Sequence, residues 1–279
     1  MIIRCWGARG SIPVSGKEYL RYGGDTTCLE IRTENDEIII VDAGSGIRRL
    51  GGRLLSENRF HYSMLFTHAH WDHLMGFPFF KPIYVKGTTL SIYGCPFAQT
   101  SIKQMISGIM TAPHFPVSFD DLKININYHE SCDIIMAFGS LNVRPIPLSH
   151  PNQGVGYKFS ENGKSFVFLT DNELKYQHEG GLAYEDYVAF SQDVDFLIHD
   201  AEYLEEDYKK TKTWGHSVYR HALQLAIDAK VKKLGLFHHN QERSDEAVEA
   251  MVTDCRRIIE EQDSTLECFA VYQDMEIGL

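Results

Sequence analysis

Short apolar runs recur along the chain, several of them alternating with polar residues, and they predict a fold rich in β-strands. Turn-forming residues bound these runs, and Glu34, Asn35 and Asp36 join the second and third of them into a hairpin. The predicted strands cover residues 2–6, 28–32, 37–41, 62–67, 90–93, 124–129, 141–145, 154–159, 165–169, 194–198, 233–237 and 269–272.

Helical periodicity is concentrated between and after the later strands. A helix fits residues 182–190, and a second pattern begins at Ser217, a typical N-cap residue, with apolar positions recurring at intervals of four, three and four. Ser244 is predicted to cap a last long helix, with Asp245 and Glu246 in its first turn where the helix dipole favours negative charge. Because both faces of a sheet need cover, this pattern indicates α/β or α+β layers with the helices outside.

The domain organisation follows from what the chain lacks. Its 279 residues contain no repeat, low-complexity tract or clear linker, so we expect one domain over residues 1–279. The least regular part is the segment 77–120, and its stretch 100–119 is too apolar for a free loop. We interpret it as a lid or as an oligomer contact, for example in a homodimer, with simple packing on the body as the alternative.

Composition narrows the class of protein. The net charge of −11 argues against a general nucleic-acid binder. No apolar run is long enough to span a bilayer, and the chain opens on a strand-like pattern rather than a signal peptide. The six cysteines are scattered without a CxxC pair, as is typical of reduced, mostly buried thiols. We therefore expect a cytoplasmic protein with no membrane partner.

The strongest chemical signal is the segment 67–73, THAHWDH, which directly follows a short apolar strand. His68 and His70 are two residues apart and therefore face the same side of an extended backbone. Asp72 and His73 follow as the chain turns and can point to a second position nearby. Since one metal ion needs three or four ligands, four candidates aimed in two directions suggest two metals.

Further ligands are expected where other buried strands open into loops. His150 follows the strand near 141–148, Asp171 ends the run 165–170, and His238 ends the run 234–237. A lone histidine at such a position is more often structural. Three candidates downstream of the first cluster favour a metal site instead.

These residues resemble the metal-binding pattern of the metallo-β-lactamase superfamily. The segment 67–73 matches its HxHxDH signature, and Asp42, His150, Asp171 and His238 follow in the superfamily's order. The segment LIHDAE at 197–202 and Gly215-His216-Ser217 are similar to the branch of ribonuclease Z and phosphodiesterases. The segments 6–13 and 22–27 resemble a bacterial subgroup described as phosphodiesterase-like, although that subgroup often carries Asn and Ser where this chain has Asp25 and Thr27.

The resemblance implies an α/β fold, an αββα sandwich of two mixed β-sheets flanked by helices, with two divalent metal ions at one edge. His238 is preferred over its neighbour His239 because it is the first residue after the strand. The implied ligands form one group for each metal and a bridge between them: His68, His70 and His150; Asp72, His73 and His238; and Asp171.

The ligand chemistry supports hydrolysis of an anionic substrate. Nitrogen and oxygen ligands without thiolate suit Zn²⁺, Mn²⁺ or Fe²⁺, and ligand type alone does not choose among them. Two such ions beside two aspartates leave the site positively charged, which matches a phosphate. Paired metals generate hydroxide at neutral pH and hold both the attacking and the substrate oxygen, so attack by a metal-bound hydroxide on a phosphodiester is the expected reaction.

Other residues are assigned supporting roles. His216 is the candidate proton donor to the leaving oxygen, and Asp200 could hydrogen-bond its imidazole and set the tautomer. We assign Asp72 to catalysis as well as to metal binding. Asp42 is expected to orient a ligand histidine or its loop, with capping of the next helix as the alternative. Arg9 could meet a phosphate oxygen or form a structural salt bridge.

Two tryptophans, Trp71 and Trp214, stand beside ligand or catalytic positions. Packing is the preferred interpretation for both, and stacking on a base is the alternative.

Four functions are compatible with these observations. The preferred one is a dinuclear phosphodiesterase acting on small phosphodiesters, for example cyclic nucleotides. A ribonuclease Z-like nuclease acting on RNA is less favoured, because the chain is acidic and lacks a long basic insertion to hold tRNA. A lactonase or thioesterase-type hydrolase and a non-enzymatic binding module are further alternatives, and the intact ligand set argues against the last.

Overall fold

The computed structural model describes residues 1–95, 101–130 and 135–279. Part of the segment 77–120, at residues 96–100, and Cys132 lie outside the described residues. Within the described ranges the chain forms two seven-stranded sheets and helices that cover them.

The strands and helices alternate in the order that the apolar pattern predicts. The strands are β1 Ile2–Gly7, β2 Cys28–Arg32, β3 Ile38–Val41, β4 His61–Leu65, β5 Thr89–Gly94, β6 Asn125–Glu130, β7 Met136–Phe138, β8 Leu141–Pro147, β9 Val155–Glu161, β10 Lys164–Leu169, β11 Phe196–Asp200, β12 Lys233–Phe237, β13 Glu267–Ala270 and β14 Glu276–Gly278. The α-helices are α1 Ile47–Ser56, α2 Trp71–Leu74, α3 Ile102–Ser107, α4 Tyr184–Phe190, α5 Glu205–Thr211, α6 Tyr219–Asp228 and α7 Asp245–Glu261. Short 3₁₀ turns occur at Lys17–Tyr19, Phe77–Phe79, Lys81–Tyr84, Gly108–Met110 and Phe119–Asp121.

Both sheets have the same mixed topology. The first has the order β14-β1-β2-β3-β4-β5-β6, and the second has the order β13-β12-β11-β10-β9-β8-β7. In each sheet one half is antiparallel, and the other half, β3 to β6 or β10 to β13, is parallel. The parallel halves matter for the site, because the carboxyl ends of parallel strands lie at one edge of a sheet.

Three apolar clusters of described residues make up the layers. One lies between the two sheets and is rich in phenylalanine, with Phe166 stacked on Phe159 at 5.5 Å and on Phe196 at 5.3 Å. The second lies under α4, α6 and α7, and the third lies under α1 and α3. A helix layer, two sheets and a second helix layer confirm the αββα sandwich.

Most predicted elements are confirmed to within one or two residues, and the exceptions have local causes. Ser217 does not cap α6, which begins at Tyr219 after Val218, because the Ser217 hydroxyl donates to the Asn172 carbonyl. Ser244 does cap α7 and accepts from the Ala247 amide. The short edge strands β7 and β14 were not predicted, since three residues carry too little pattern.

Four cysteines, Cys5, Cys28, Cys255 and Cys268, are buried free thiols, as expected. Cys95 is disulfide-bonded, so the prediction of reduced thiols is wrong at that position. No helix in the described part of the chain has both the length and the apolar character that crossing a bilayer requires.

Candidate metal centre

The candidate residues lie at one edge of the sandwich, where strands from both sheets end. Strand β4 leads into residues 68–73, and β8, β10 and β12 lead into His150, Asp171 and His238. The pairing of Leu169 with His199 and of Asp200 with Phe237 aligns the ends of β10, β11 and β12. Side chains 166 positions apart in the sequence, those of Asp72 and His238, therefore come within hydrogen-bond distance.

The backbone turns sharply at three of these strand ends. Asp42, Asp171 and His238 adopt φ angles of 61°, 53° and 56°, in the left-handed region that residues other than glycine seldom occupy. Such conformations cost free energy and persist where the surrounding structure enforces them, often at functional sites. Here they aim two carboxylates and an imidazole into the space between the sheet ends.

The first set of candidate ligands, His68, His70 and His150, is called the three-histidine group. His70 Nδ1 lies 3.0 Å from His150 Nε2. The centroid of the His68 ring lies 4.6 Å from that of His70 and 4.7 Å from that of His150. Burial lowers the pKa of His68 well below its usual value and lowers that of His150 to about 3. The group therefore presents neutral imidazoles, the form that binds metals.

The second set, Asp72, His73, Asp171 and His238, is called the aspartate group. Asp72 Oδ2 lies 3.3 Å from His73 Nε2 and 3.0 Å from His238 Nε2. Burial opposes protonation of His73, but the carboxylates of Asp72 and Asp171 outweigh it and raise the pKa well above its usual value. His238 behaves in the same way: burial is outweighed by Asp171 and Asp72, and its pKa is raised.

Asp171 lies between the two groups. Its Oδ1 is 3.7 Å from His68 Nε2 and 3.3 Å from His238 Nε2, and its Oδ2 is 3.3 Å from His73 Nε2. One carboxylate therefore faces imidazoles of both groups, as the bridging position requires. The structure brings all seven residues together in the arrangement that the resemblance implies, and metal binding by them stays a prediction.

The donor set fits divalent metal ions. Ligand atoms of a tetrahedral site with bonds of about 2.1 Å lie roughly 3.4 Å apart, and the distances above range from 3.0 to 3.7 Å. Within the described part of the chain, the buried atoms His68 Nε2 and His73 Nε2 have no hydrogen-bond partner, a state that normally costs free energy. Buried carboxylates that face imidazoles also favour a cation. The arrangement is therefore consistent with two metal positions.

Asp42 orients His73, as expected. Its Oδ2 lies 2.8 Å from His73 Nδ1 and accepts from the Thr67 hydroxyl at 2.7 Å, and its Oδ1 accepts from the Thr67 amide at 2.8 Å. Holding Nδ1 in this way directs Nε2 towards the centre. Asp42 is not a cap for α1, whose N-cap is Gly46.

Glu202 plays the matching role for His238 and was not singled out by the sequence. Its Oε2 lies 2.7 Å from His238 Nδ1, and its Oε1 accepts from the side-chain Nδ2 of Asn240 at 2.9 Å. The sequence signal for Glu202 is its place in the LIHDAE segment, two residues after Asp200. Only the fold reveals that the Glu202 carboxylate reaches His238.

His216 lies against the centre, with its ring stacked on that of His238 at 4.8 Å. Its Nδ1 is 3.5 Å from Glu202 Oε2, 3.7 Å from Asp200 Oδ2 and 3.7 Å from Asp171 Oδ1. Burial lowers the pKa of His216, but Glu202 and the other two carboxylates outweigh it and raise the pKa to about 9. His216 is therefore suited to carry a proton.

Asp200 is placed differently from the expectation. At 3.7 Å it is too far from His216 Nδ1 for a hydrogen bond, and its two oxygens accept from the Asn172 and Ser217 amides at 3.0 and 2.8 Å. Asp200 therefore joins the backbone on both sides of the centre, and Glu202 is the carboxylate nearest to His216 Nδ1.

A second buried carboxylate that was not predicted, Glu173, holds the loop before His216. It accepts from the Thr213 and Gly215 amides at 2.8 and 2.9 Å and from the Tyr208 hydroxyl at 2.7 Å. These hydrogen bonds attach the loop to the segment that carries both Glu173 and Asp171. His216 is positioned by this network rather than by a helix N-terminus.

Two glycines permit close approach to ligand histidines. A Cβ on Gly10 would lie 2.3 Å from His238 Nδ1, and one on Gly215 would lie 2.0 Å from His150 Nδ1. Gly215 also has a φ of 93°, and its carbonyl accepts from His150 Nδ1 at 2.9 Å. The N-terminal loop contributes further through Ser11, whose amide donates to Asp72 Oδ2 at 2.9 Å.

Arg9 and His239 are structural. The Arg9 side chain is fully buried and donates to the carbonyls of Gly23, Asn240 and Arg243, so neither a phosphate contact nor a salt bridge accounts for it. His239 turns away from the centre, with Nε2 2.8 Å from the Val271 carbonyl.

Trp71 and Trp214 are both exposed, with 74% and 62% of their surface accessible. This exposure does not support the preferred prediction of packing for either residue. Two large aromatic side chains beside candidate site residues are left facing solvent.

Comparisons with known proteins agree with this geometry. Residues 38–239 match the family described as "Beta-lactamase superfamily domain". Ribonuclease Z of Haloarcula marismortui is 24% identical over 277 aligned residues, which cover 83% of this chain and 84% of that protein. Among solved structures, the metallo-β-lactamase fold protein YhfI from Bacillus subtilis has a TM-score of 0.73 at 17% identity, covering 99% of this chain and 98% of that one. Unliganded yeast PDE1 has a TM-score of 0.71 at 14% identity, covering 100% and 99%.

The two solved structures are similar to this chain in fold, and the family match carries the assignment. It spans more than half of the chain and includes all seven candidate ligands. The chain therefore belongs to the β-lactamase superfamily and is a metal-dependent hydrolase.

Proposed function

We propose that this chain hydrolyses small phosphodiesters, cyclic nucleotides among them, at a centre of two divalent metal ions held by the three-histidine and aspartate groups. The observation that supports this most is the position of His216, stacked on His238 beside Asp171. A proton donor next to paired cation positions suits an alkoxide leaving group, which needs a proton as its bond to phosphorus breaks. We also infer that residues 1–279 form one domain, because the core between the sheets draws on both halves of the chain.

The ions, Zn²⁺ or Mn²⁺ with Fe²⁺ as a third candidate, would supply Lewis-acid polarisation of the phosphoryl group and a nucleophile at neutral pH. The side chains and backbone of the protein orient the ligands. The Asp42 and Glu202 carboxylates fix the ring orientations of His73 and His238. Asp72 is itself oriented by the Ser11 amide, so the N-terminal loop is part of the site.

His216 holds the proton for the leaving oxygen, and its surroundings keep that proton in place. Glu202 lies nearest to Nδ1, and Glu173 holds the preceding loop through the Gly215 amide. Asp200 acts through the backbone on either side, at Asn172 and Ser217. We propose these carboxylates as positioning residues and His216 as the catalytic acid.

A ribonuclease Z-like activity on RNA is the second candidate, because curated sequence relatives carry that name. The net charge of −11 disfavours it, since binding to a phosphate backbone depends on clustered lysine and arginine. Binding of a small phosphodiester does not depend on clustered lysine and arginine. A lactonase or thioesterase-type reaction is the remaining alternative.

A substrate panel tests the proposal. The full chain, loaded with Zn²⁺ or Mn²⁺, is assayed on bis-p-nitrophenyl phosphate, the four 3′,5′-cyclic nucleotides, a tRNA precursor, a lactone and a thioester. We expect turnover of the small phosphodiesters. Cleavage of the tRNA precursor alone would replace the proposal with the nuclease, and turnover of only the lactone or thioester would replace it with the third candidate.

The role of His216 is tested with His216→Ala. We expect kcat on the 3′,5′-cyclic nucleotide that the wild type hydrolyses fastest to fall by about 100-fold while both metals are retained, since the substitution removes only the proton donor to its alkoxide leaving group. His61→Ala, at an exposed histidine of β4, is the matched control and should behave as wild type. Equal turnover of His216→Ala and His61→Ala would remove His216 from the mechanism.

A further inference from the structure

A cavity of about 550 Å³ lies behind the ligand-bearing segment 68–73. Its walls come from α2, the turn Phe77–Phe79 and the segment from α3 to Phe115, which is most of the insertion whose role the sequence left open. This volume is in the range of sites for small molecules.

The lining is rich in aromatic rings that are poorly covered. Trp71 and Phe79 are 74% and 55% exposed, although both take part in the cavity wall. The Phe115 ring packs edge-to-face on the Phe79 ring, with their centroids 5.7 Å apart, and this contact holds the Phe79 ring in place. Exposed rings fixed around a concavity can stack on a flat ligand.

The lining also contains no ionisable lysine, arginine, aspartate or glutamate among the described residues. Its polar side chains are Gln104 and His114, both at exposed positions. A neutral heterocycle fits this chemistry, because its faces need apolar cover and its edge needs a few hydrogen-bonding groups. A sugar-phosphate backbone does not, since it needs cations.

The cavity and the metal centre share one stretch of backbone. Ala69 and Trp71 line the cavity, and His70 between them belongs to the three-histidine group. The exposed Trp71 side chain, which forms part of the cavity wall, therefore belongs to the residue next to a candidate metal ligand. A substrate with its phosphate at the metals would place its other end in the cavity by extending past Trp71.

We propose that this cavity binds the nucleobase of a small nucleotide substrate, with Trp71 as the stacking residue. The proposal rests on the proposed function, because it assigns the other half of that phosphodiester. It also gives the insertion a role as the wall of a base pocket. A second copy of this chain would instead be expected to need a broad apolar face, whereas this feature is concave.

Binding is tested without turnover by following tryptophan fluorescence. The chain is titrated with adenosine, guanosine, cytidine and uridine 5′-monophosphates, and with ribose 5-phosphate as the probe that lacks a base. We expect saturable quenching by at least one nucleotide and binding of ribose 5-phosphate that is weaker by roughly tenfold or more, because stacking is lost. The quenching should disappear in Trp71→Phe and persist in Trp214→Phe. Quenching that disappears in Trp214→Phe instead would place the base at the other exposed tryptophan and overturn the proposal.

Matched substrates test the pocket in catalysis. Adenosine 3′,5′-cyclic phosphate and its 1-deoxyribose analogue carry the same phosphodiester with and without a base, and ³¹P NMR follows both. We expect the KM of the analogue to be at least tenfold higher. Ile109→Asp, which puts a charge into the lining, and Phe79→Ala, at an exposed ring, should abolish that ratio. Leu20→Asp, at a residue 80% exposed elsewhere, should preserve it.

The outcomes separate the two proposals. Nucleotide quenching that depends on Trp71, without turnover of any phosphodiester, would reject the proposed function and retain the pocket. Turnover with equal KM for the two matched substrates and no quenching would reject the pocket and retain the function. Light scattering adds one further test: a wild-type dimer that Ile109→Asp converts to monomer would identify this face as a subunit interface and overturn the proposal.

Discussion

The two ligand groups differ in the atoms that face the Nδ1 nitrogens of their histidines. In the aspartate group, the Nδ1 atoms of His73 and His238 face the carboxylates of Asp42 and Glu202, at 2.8 and 2.7 Å. In the three-histidine group, Nδ1 of His150 faces the Gly215 carbonyl at 2.9 Å. The Nδ1 atom of His68 faces the Thr67 hydroxyl at 3.1 Å. The first group is therefore supported by charges and the second by neutral oxygen atoms.

This difference sets the charge of each half of the centre. Carboxylates raise the pKa of His73 and His238 despite burial, whereas burial lowers the pKa of His68 and His150. The aspartate group therefore holds its histidines protonated when no metal is bound, and the three-histidine group holds them neutral. A cation that binds the aspartate group must displace these protons, whereas the three-histidine group offers imidazoles that are already neutral.

The largest expected effect comes from removing the residue that the groups share. Asp171→Ala should reduce hydrolysis of bis-p-nitrophenyl phosphate by on the order of a thousandfold, because the carboxylate faces imidazoles of both groups. Metal analysis of the purified variant should show loss at both positions rather than one. Asp263→Ala, at an exposed turn, is the control. Loss of a single metal would mean that Asp171 serves one group only.

An intermediate effect is expected when one charged support is neutralised. In Asp42→Asn an amide NH₂ replaces an oxygen and cannot accept from His73 Nδ1, so the ring loses its orientation. We expect metal affinity of the aspartate group to fall about 10- to 100-fold, while the three-histidine group keeps its affinity. Competition with a chromophoric chelator measures both. Asp36→Asn, in the exposed turn between β2 and β3, controls for the loss of an aspartate. If Asp42→Asn lowered the metal affinity of both ligand groups equally, the contrast between the groups would be contradicted.

The smallest expected effect is a difference in the number of protons released when each ligand group binds its metal. Because His73 and His238 have raised pKa values, both are protonated at pH 7 in the metal-free chain, and metal binding there should release about two protons. The three-histidine group has lowered pKa values at His68 and His150 and should release none. Calorimetric titration with Zn²⁺ in buffers of different ionisation enthalpy measures the release. Equal release from the two binding steps would show that the carboxylates do not set the charge of the histidines.

Local pattern was sufficient for the strands, the layered arrangement and the candidate ligand positions, whereas the αββα sandwich and the two ligand groups were implied by the resemblance to the metallo-β-lactamase superfamily. The two sheets follow from short apolar runs, and each ligand stands directly after such a run, as His150 follows β8 and Asp171 follows β10. A strand end is a feature that a few neighbouring residues define, so it can be recognised in one dimension. The pattern was less informative at α6, where Ser217 has the side chain of an N-cap but uses it on a distant carbonyl.

The contacts that only the tertiary structure decided join residues far apart in the chain. Glu202 reaches His238 across 36 positions, and Arg9 reaches the carbonyls of Asn240 and Arg243 across more than 230. No local pattern distinguishes a carboxylate that will face an imidazole from one that will face solvent, because the difference lies in how separate strands pack. The sequence by itself therefore determined which side chains could bind metals. Packing decided which groups hold them in place and left Trp71 exposed at the rim of a cavity.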